Sequence, residues 1–259
     1  MIVKMDFEVV MPCGGSLSIS LDAKQLQQAH NLLQQVYTLV SISPETRKYF
    51  GVSYADKSDG GKNWLQPEDN LKTLNCFSTR KCMRLQFEVR LYPKDPDLTF
   101  PTSDARKIFR QHMKNLLTNN EIGCENQTSA MLDAFIVQAE LGDYIGSDKS
   151  YFDKVNNIKI YAPNSLCSGT PLTETQYLKI MRMYHRKLKG MSPEQADILF
   201  LSLVQKIPMY GYSWYQIADE EHDRHFLALS REGLHFIYES CMEKFIVPQN
   251  TTVIRWDPI

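Results

Sequence analysis

The sequence predicts an α+β chain of three successive lobes: a mixed roll of strands around one helix, an all-helical bundle, and a strand lobe. Three observations predict it. Leu85, Phe87, Val89 and Leu91 alternate with polar residues at the period of a half-buried strand. Residues 102–205 switch to helical spacing, with two capping-box patterns marking helix starts. From Tyr212 onward the period returns to two.

In the first lobe, Lys4 to Val10 and Leu17 to Leu21 flank Pro12, Gly14 and Gly15, which predicts a hairpin. A helix from about Lys24 to Val40 places Leu26, Ala29, Leu33, Val36 and Val40 on one face. Phe50 to Asp56 reads as a strand, Ser58 to Gly61 as a turn, and Trp64-Leu65 as a short return; Met83 to Leu91 is the last strand. That order in under 90 residues matches a ubiquitin-like roll. Tyr92-Pro93-Lys94-Asp95-Pro96 is a natural boundary, because proline stops both strand and helix.

In the second lobe, Ile108, Phe109, Met113, Leu116 and Leu117 predict one helix. Leu132, Phe135, Ile136 and Ala139 predict another with a single apolar stripe, ended by Gly142, where Asp143 can satisfy backbone donors. Ile145 to Pro171 is looser. Thr173-x-x-Gln176 and Ser192-x-x-Gln195, the latter with Pro193 at the first helical position, open two more helices. In the third lobe, Trp214 to Ala218, Phe226 to Leu229 and Leu234 to Tyr238 read as short strands, and Phe245 to Val247 and Val253 to Trp256 add at most one or two more. The predicted lobes are 1–93, 94–208 and 209–259.

A chain of 259 residues, 43% hydrophobic, can bury substantial cores. Its net charge of −1 gives no global case for nucleic acid, but the final 49 residues hold 4 basic against 8 acidic side chains, leaving any basic face to the first two lobes. Six cysteines without paired spacing read as free thiols of a reducing compartment. The absence of an apolar leader or an 18-residue apolar run predicts a soluble intracellular chain. No Gly-rich phosphate loop, G-x-S-x-G or Cys-x5-Arg loop is present, so no catalytic residues and no cofactor are predicted. His222-x-x-His225, with Glu221 and His235 nearby, has a metal spacing suited to a helix. Its surroundings predict a strand hairpin, so an exposed charged turn is the better account and no metal is predicted.

Two basic clusters are the candidate sites. Lys179, Arg182, Arg186 and Lys189 share one helical face opposite Tyr177, Ile180, Tyr184 and Leu188. Arg106, Lys107, Arg110 and Lys114 form the second. Either could meet anionic lipid. Trp64, Tyr92 and Tyr144 read as packing residues.

Five segments in order resemble FERM domains: Tyr49 to Asp56 with Trp64-Leu65, Phe87 to Pro96, Gln138 to Tyr144, Gly190 to Asp197, and Met209-Tyr210-Gly211. They cover residues from about 30 to 240. The Pro-Lys-Asp-Pro link and the Ser-Pro-Glu-Gln-Ala helix start are more similar to the band 4.1-like group and FERM tyrosine phosphatases than to the ezrin/radixin/moesin group. The resemblance implies ubiquitin-like, acyl-CoA-binding-protein-like and pleckstrin-homology-like lobes. It also implies an adaptor at the cytoplasmic face of the plasma membrane. Such an adaptor docks cytoplasmic tails of transmembrane proteins, scaffold proteins and, peripherally, phosphoinositides and other anionic lipids; actin and spectrin are reached only through regions outside this chain. The close alternative is the non-catalytic targeting module of a FERM tyrosine phosphatase. Two departures follow from the family pattern. The 48 residues after Gly211 are about half of a seven-strand third lobe, so that lobe reads as truncated and its peptide groove as absent. Gln66, Pro67, Glu68 and Asp69 stand where radixin-type members place lipid-binding lysines, so that lipid site is not carried over.

Overall fold

A computed structural model describes residues 4–56, 61–74, 82–119, 121–145, 151, 153–155, 172–207, 210–218, 224–230, 233–238 and 252–255. They divide into two units, Met1–Pro93 with Leu98–His112, and Lys94–Asp97 with Met113–Ile259.

In the first unit, β1 (Lys4–Val10) and β2 (Ser16–Asp22) form the predicted antiparallel hairpin, Phe7 facing Ile19 and Val9 facing Leu17. β3 (Phe50–Ala55), β4 (Lys62–Trp64) and β5 (Cys82–Val89) complete a sheet of order β2-β1-β5-β3-β4, with β1 and β5 parallel at its centre. Phe7, Val9, Leu21, Val52, Leu85 and Phe87 are buried, as are Leu32, Leu33 and Val36 of helix α1 (His30–Leu39). Each such side chain stabilises the fold by roughly 1.5–3 kcal/mol. Gly51 is required by space. A Cβ there would lie 2.9 Å from the Trp64 ring, which Lys62 and Arg90 also approach.

Two expectations are corrected here. The helix does not run from Lys24. The Asp22 carboxylate accepts from the backbone N–H groups of Lys24 and Gln25, winding a short 3-10 turn at Gln25–Gln27, and Gln28 is extended. The true start at His30 draws its acceptors from another segment: Ala29 and His30 N–H donate to the carbonyls of Asp69 and Pro67. The last strand stops at Val89, so Leu91 leaves the alternation and is 51% exposed.

An aromatic file runs from the sheet through Phe100, which follows the short helix α2 (Pro96–Thr99), to Phe109 of α3 (Ser103–Thr118). Phe87, Phe50, Phe100, Phe109 and Tyr92 follow at centroid separations of 5.0–6.0 Å. Tyr92 thus packs as predicted. Its hydroxyl lies 2.7 Å from His112 Nε2, and burial lowers the His112 pKa to about 4.

The second unit contains α4 (Asn126–Leu141), α5 (Glu174–Lys187) and α6 (Pro193–Val204). Both capping boxes are formed in full, at Thr173 with Gln176 and at Ser192 with Gln195. The single stripe expected on α4 is corrected. Nine residues from Ser129 to Gln138 are buried, around the whole circumference, so α4 is a central helix. Its polar members are paired: Tyr177 of α5 donates to Asp133 at 2.7 Å and meets the Ser129 hydroxyl at 2.7 Å. A separate antiparallel sheet contains β6 (Ser213–Ala218), β7 (Arg224–Ser230), β8 (Gly233–Tyr238) and β9 (Thr252–Arg255) in that order. The three expected strands and one further strand are therefore present; the Phe245–Val247 segment lies outside the described residues.

Gly142 ends α4 at φ 73°, ψ −156°, a region open essentially to glycine, and an added Cβ would meet nothing within 4 Å. Gly142→Ala therefore isolates backbone strain, and should lower unfolding free energy by about 2 kcal/mol in denaturant titration. His112 gives a pH prediction. Its pKa is lower folded than unfolded, so protons favour the unfolded chain. Its contribution to stability should decline as pH falls from about 6.5 to about 4, and His112→Gln should flatten that slope in the same titration.

Candidate functional site

The end of α4 is fastened to the turn between α5 and α6. The Gln138 side-chain amide donates to the Met191 carbonyl at 2.8 Å and to the Asp143 carboxylate at 2.9 Å. Asp143 also accepts from Gly190 N–H at 2.8 Å, and the two bonds hold its pKa below the ordinary value. His185 of α5 is buried and bonded through Nε2 to the Gly142 carbonyl at 2.9 Å. A carbonyl only accepts, so Nε2 carries the proton and Nδ1 accepts from the Tyr151 hydroxyl at 2.9 Å. Burial lowers the His185 pKa, against the opposing effects of Gly142 and Asp143.

On the outer side of α5, Lys179 and Arg186 are exposed and Arg182 is half-buried. The Arg186 guanidinium lies 4.6 Å from the Tyr144 ring centroid and donates to its hydroxyl at 3.2 Å. Lys189 is not on the helix. It follows the C-terminal residue Leu188, so the expected four-residue stripe becomes three helical cations and one in the turn. The buried face also differs from expectation. Tyr177, Met181 and His185 are buried, while Ile180, Tyr184 and Leu188 are half-buried, because spacing by four aligns the first set with α4.

The second cluster is not an exposed basic face. Arg110 is 7% and Lys114 6% exposed. Lys114 Nζ lies 3.5 Å from Glu140, and Arg106 donates to the carbonyls of Phe100 and Pro101 at 2.8 Å. Lys107 alone of the four is exposed. These arginine and lysine stems share the inner side of α3 with Phe109 and Met113, which helical spacing alone did not reveal.

One surface was missed by sequence reasoning. Beside the α5–α6 turn lies an open groove of about 500 Å³, lined by Lys187, Leu188, Lys189, Met191, Ile198 and Leu199. Ile198 and Leu199 are 37% and 40% exposed. The signal was two adjacent apolar residues outside the Phe200–Leu201 core positions of α6.

No group of three or more His, Cys, Asp or Glu side chains suited to a metal occurs among the described residues. His235 is buried on β8, 2.8 Å from the Ser230 hydroxyl and packed on Tyr212, so it is not part of an exposed turn; Glu221 and His222 lie outside the described residues. Gln66 to Asp69 form a turn in which Gln66 N–H donates to the Asp69 carboxylate. Among the described residues no helix is long and apolar enough to cross a membrane.

Residues 96–215 match the FERM central domain family model. Human band 4.1-like protein 3 is 28% identical over 189 residues, 73% of this chain. Over residues 96–215 the chain is similar to the FERM central domain, and over most of its length to the band 4.1-like group. It spans only 16% of the length of that human relative. The fold of this chain agrees with solved structures that contain FERM domains. The FERM and C-terminal domain complex of Drosophila Merlin matches with a TM-score of 0.74 at 16% identity, covering 96% of this chain and 80% of that one. The human myosin 7b C-terminal MyTH4-FERM domain, solved in complex with harmonin-a PDZ3, matches with a TM-score of 0.62 at 13% identity, covering 96% and 52%.

The burial contrast on α3 is testable. Lys114→Ala should lower the melting temperature by roughly 3 °C, the equivalent of about 1 kcal/mol, and Lys107→Ala should leave it unchanged. Differential scanning calorimetry of the two variants checks this.

Proposed function

We propose that this chain is a non-catalytic adaptor at the cytoplasmic face of the plasma membrane. It binds cytoplasmic tails of transmembrane proteins, scaffold proteins and anionic phosphoinositides, and regions outside this chain join it to cortical actin and spectrin. Its working parts are a ubiquitin-like lobe over 1–93, a helical lobe over 94–208 and a pleckstrin-homology-like lobe from 209. The observation that carries the lipid half of this reading is the outer side of α5. There Lys179 and Arg186 stand exposed beside Arg182, while the neutral stripe Tyr177–Met181–His185 is spent on packing. Cations at such a surface contribute about 1 kcal/mol each toward an anionic leaflet. Arg186, held over Tyr144, presents its charge from a fixed position. The second cluster is assigned no lipid role, because Arg110 and Lys114 are buried.

Co-sedimentation with phosphatidylcholine vesicles containing phosphatidylinositol bisphosphate tests the reading. The triple variant Lys179→Glu, Arg182→Glu, Arg186→Glu should bind on the order of a hundredfold more weakly, and 0.5 M salt should weaken the unaltered chain. Undiminished vesicle binding by the triple variant would refute the assignment.

A further inference from the structure

The groove beside the α5–α6 turn lies on a different side of α5 from the cations assigned to lipid, and its lining is of another kind. Leu188, Met191, Ile198 and Leu199 give an apolar floor, with Lys187 and Lys189 beside it. Both lysines are exposed, and among the described residues neither forms an ion pair with a carboxylate. The carboxylate whose charge Lys189 stabilises, Asp143, is already engaged by Gln138 and Gly190. We infer that this groove docks an amphipathic helix of a protein partner, one with an apolar stripe bordered by glutamate or aspartate.

Three features select that occupant. The floor is an open groove of four apolar side chains, a stretch of apolar surface and not a closed pocket for a small molecule. The lining comes from the end of α5, the turn after it and α6, so no strand edge borders the groove. Strand addition is therefore unavailable, and recognition must pass through side chains, as when a helix lays its apolar face in a groove. Finally, the two exposed lysines, neither in an ion pair with a carboxylate among the described residues, favour negative charge at the border of that apolar face, where complementarity decides which helix is accepted. The inference deepens the partner half of the adaptor reading and rests on it, but not on the lipid half.

The test uses the full 259-residue chain and a fluorescein-labelled helical peptide of about 18 residues, five turns long. Leucines repeat at i, i+3, i+4 and i+7, and glutamates border them; a second peptide replaces every glutamate by lysine. Fluorescence anisotropy should show saturable binding of the acidic peptide alone. Lys187→Glu with Lys189→Glu should weaken it about tenfold or more and admit the lysine peptide. Ile198→Asp should weaken it independently, and Lys179→Glu with Arg182→Glu should not. Unchanged melting temperatures establish that the variants are folded. Failure of the acidic peptide to bind, or binding indifferent to Lys187 and Lys189, would overturn the inference. So would vesicle binding lost in the Lys187/Lys189 variant with peptide binding kept, which would give the groove to the membrane. Loss of vesicle binding in the α5 triple variant with peptide binding intact supports two separate surfaces, whereas peptide binding lost in that variant counts against the groove as the peptide site.

Discussion

The helical unit depends on how the C-terminal end of α4 is held to the turn between α5 and α6. A helix ends with carbonyl groups that have no partner within it, and after α4 the chain finds partners on the next two elements. Gly142 turns the chain at positive φ so that its own carbonyl meets His185. Asp143 then faces back, taking donors from both Gln138 and Gly190. Gln138 completes the tie at Met191. Three hydrogen bonds from α4 and the two residues after it thus fix where α5 stops and α6 begins. Without them the second capping box, at Ser192, would have no defined position to start from.

Sequence reading reached the local features of this arrangement and missed the long-range ones. Ser192, Gln195 and Pro193 announce a helix start because all the groups involved lie within four residues. Gly142 announces a helix end for the same reason. Nothing in the spacing said that Gln138 would reach Met191, 53 positions along the chain. The segment from Gln138 to Tyr144 carries no chemistry of its own, yet nearly every polar group in it is a partner for a distant element. The resemblance to FERM domains located it, and the structure supplies the physical reason for its composition. Likewise the first-lobe helix was placed six residues early. Apolar spacing sees that Leu26 and Ala29 are buried, but not that Asp22 has diverted the backbone into a separate turn.

The charged residues show a different limit. On α3 and α5 the basic side chains have similar spacing, and periodicity treats them alike. Burial does not. Long aliphatic stems let Arg110 and Lys114 serve as packing, with the Lys114 ammonium delivered to Glu140, whereas Lys179 and Arg186 keep their charges at the surface. Which outcome occurs depends on what lies opposite the helix, and that is information a single helix does not contain. Lys189 shows the same point at a helix boundary: one residue past Leu188 is enough to move a cation from the outer face into the turn.

The turn that ends α5 therefore has two consequences from one cause. Its backbone is immobilised by Gln138 and Asp143, so Leu188, Met191 and the start of α6 keep a fixed relation. A groove whose walls are tied by side-chain hydrogen bonds needs little further ordering when it receives a ligand, and that lowers the entropic cost of association. The cations beside it retain the freedom of long side chains and contribute mainly to encounter and discrimination. Rigid floor and adaptable border are the division of labour expected of a selective docking surface. In this chain the floor is held in place by the hydrogen bonds that tie the end of α4 to the turn.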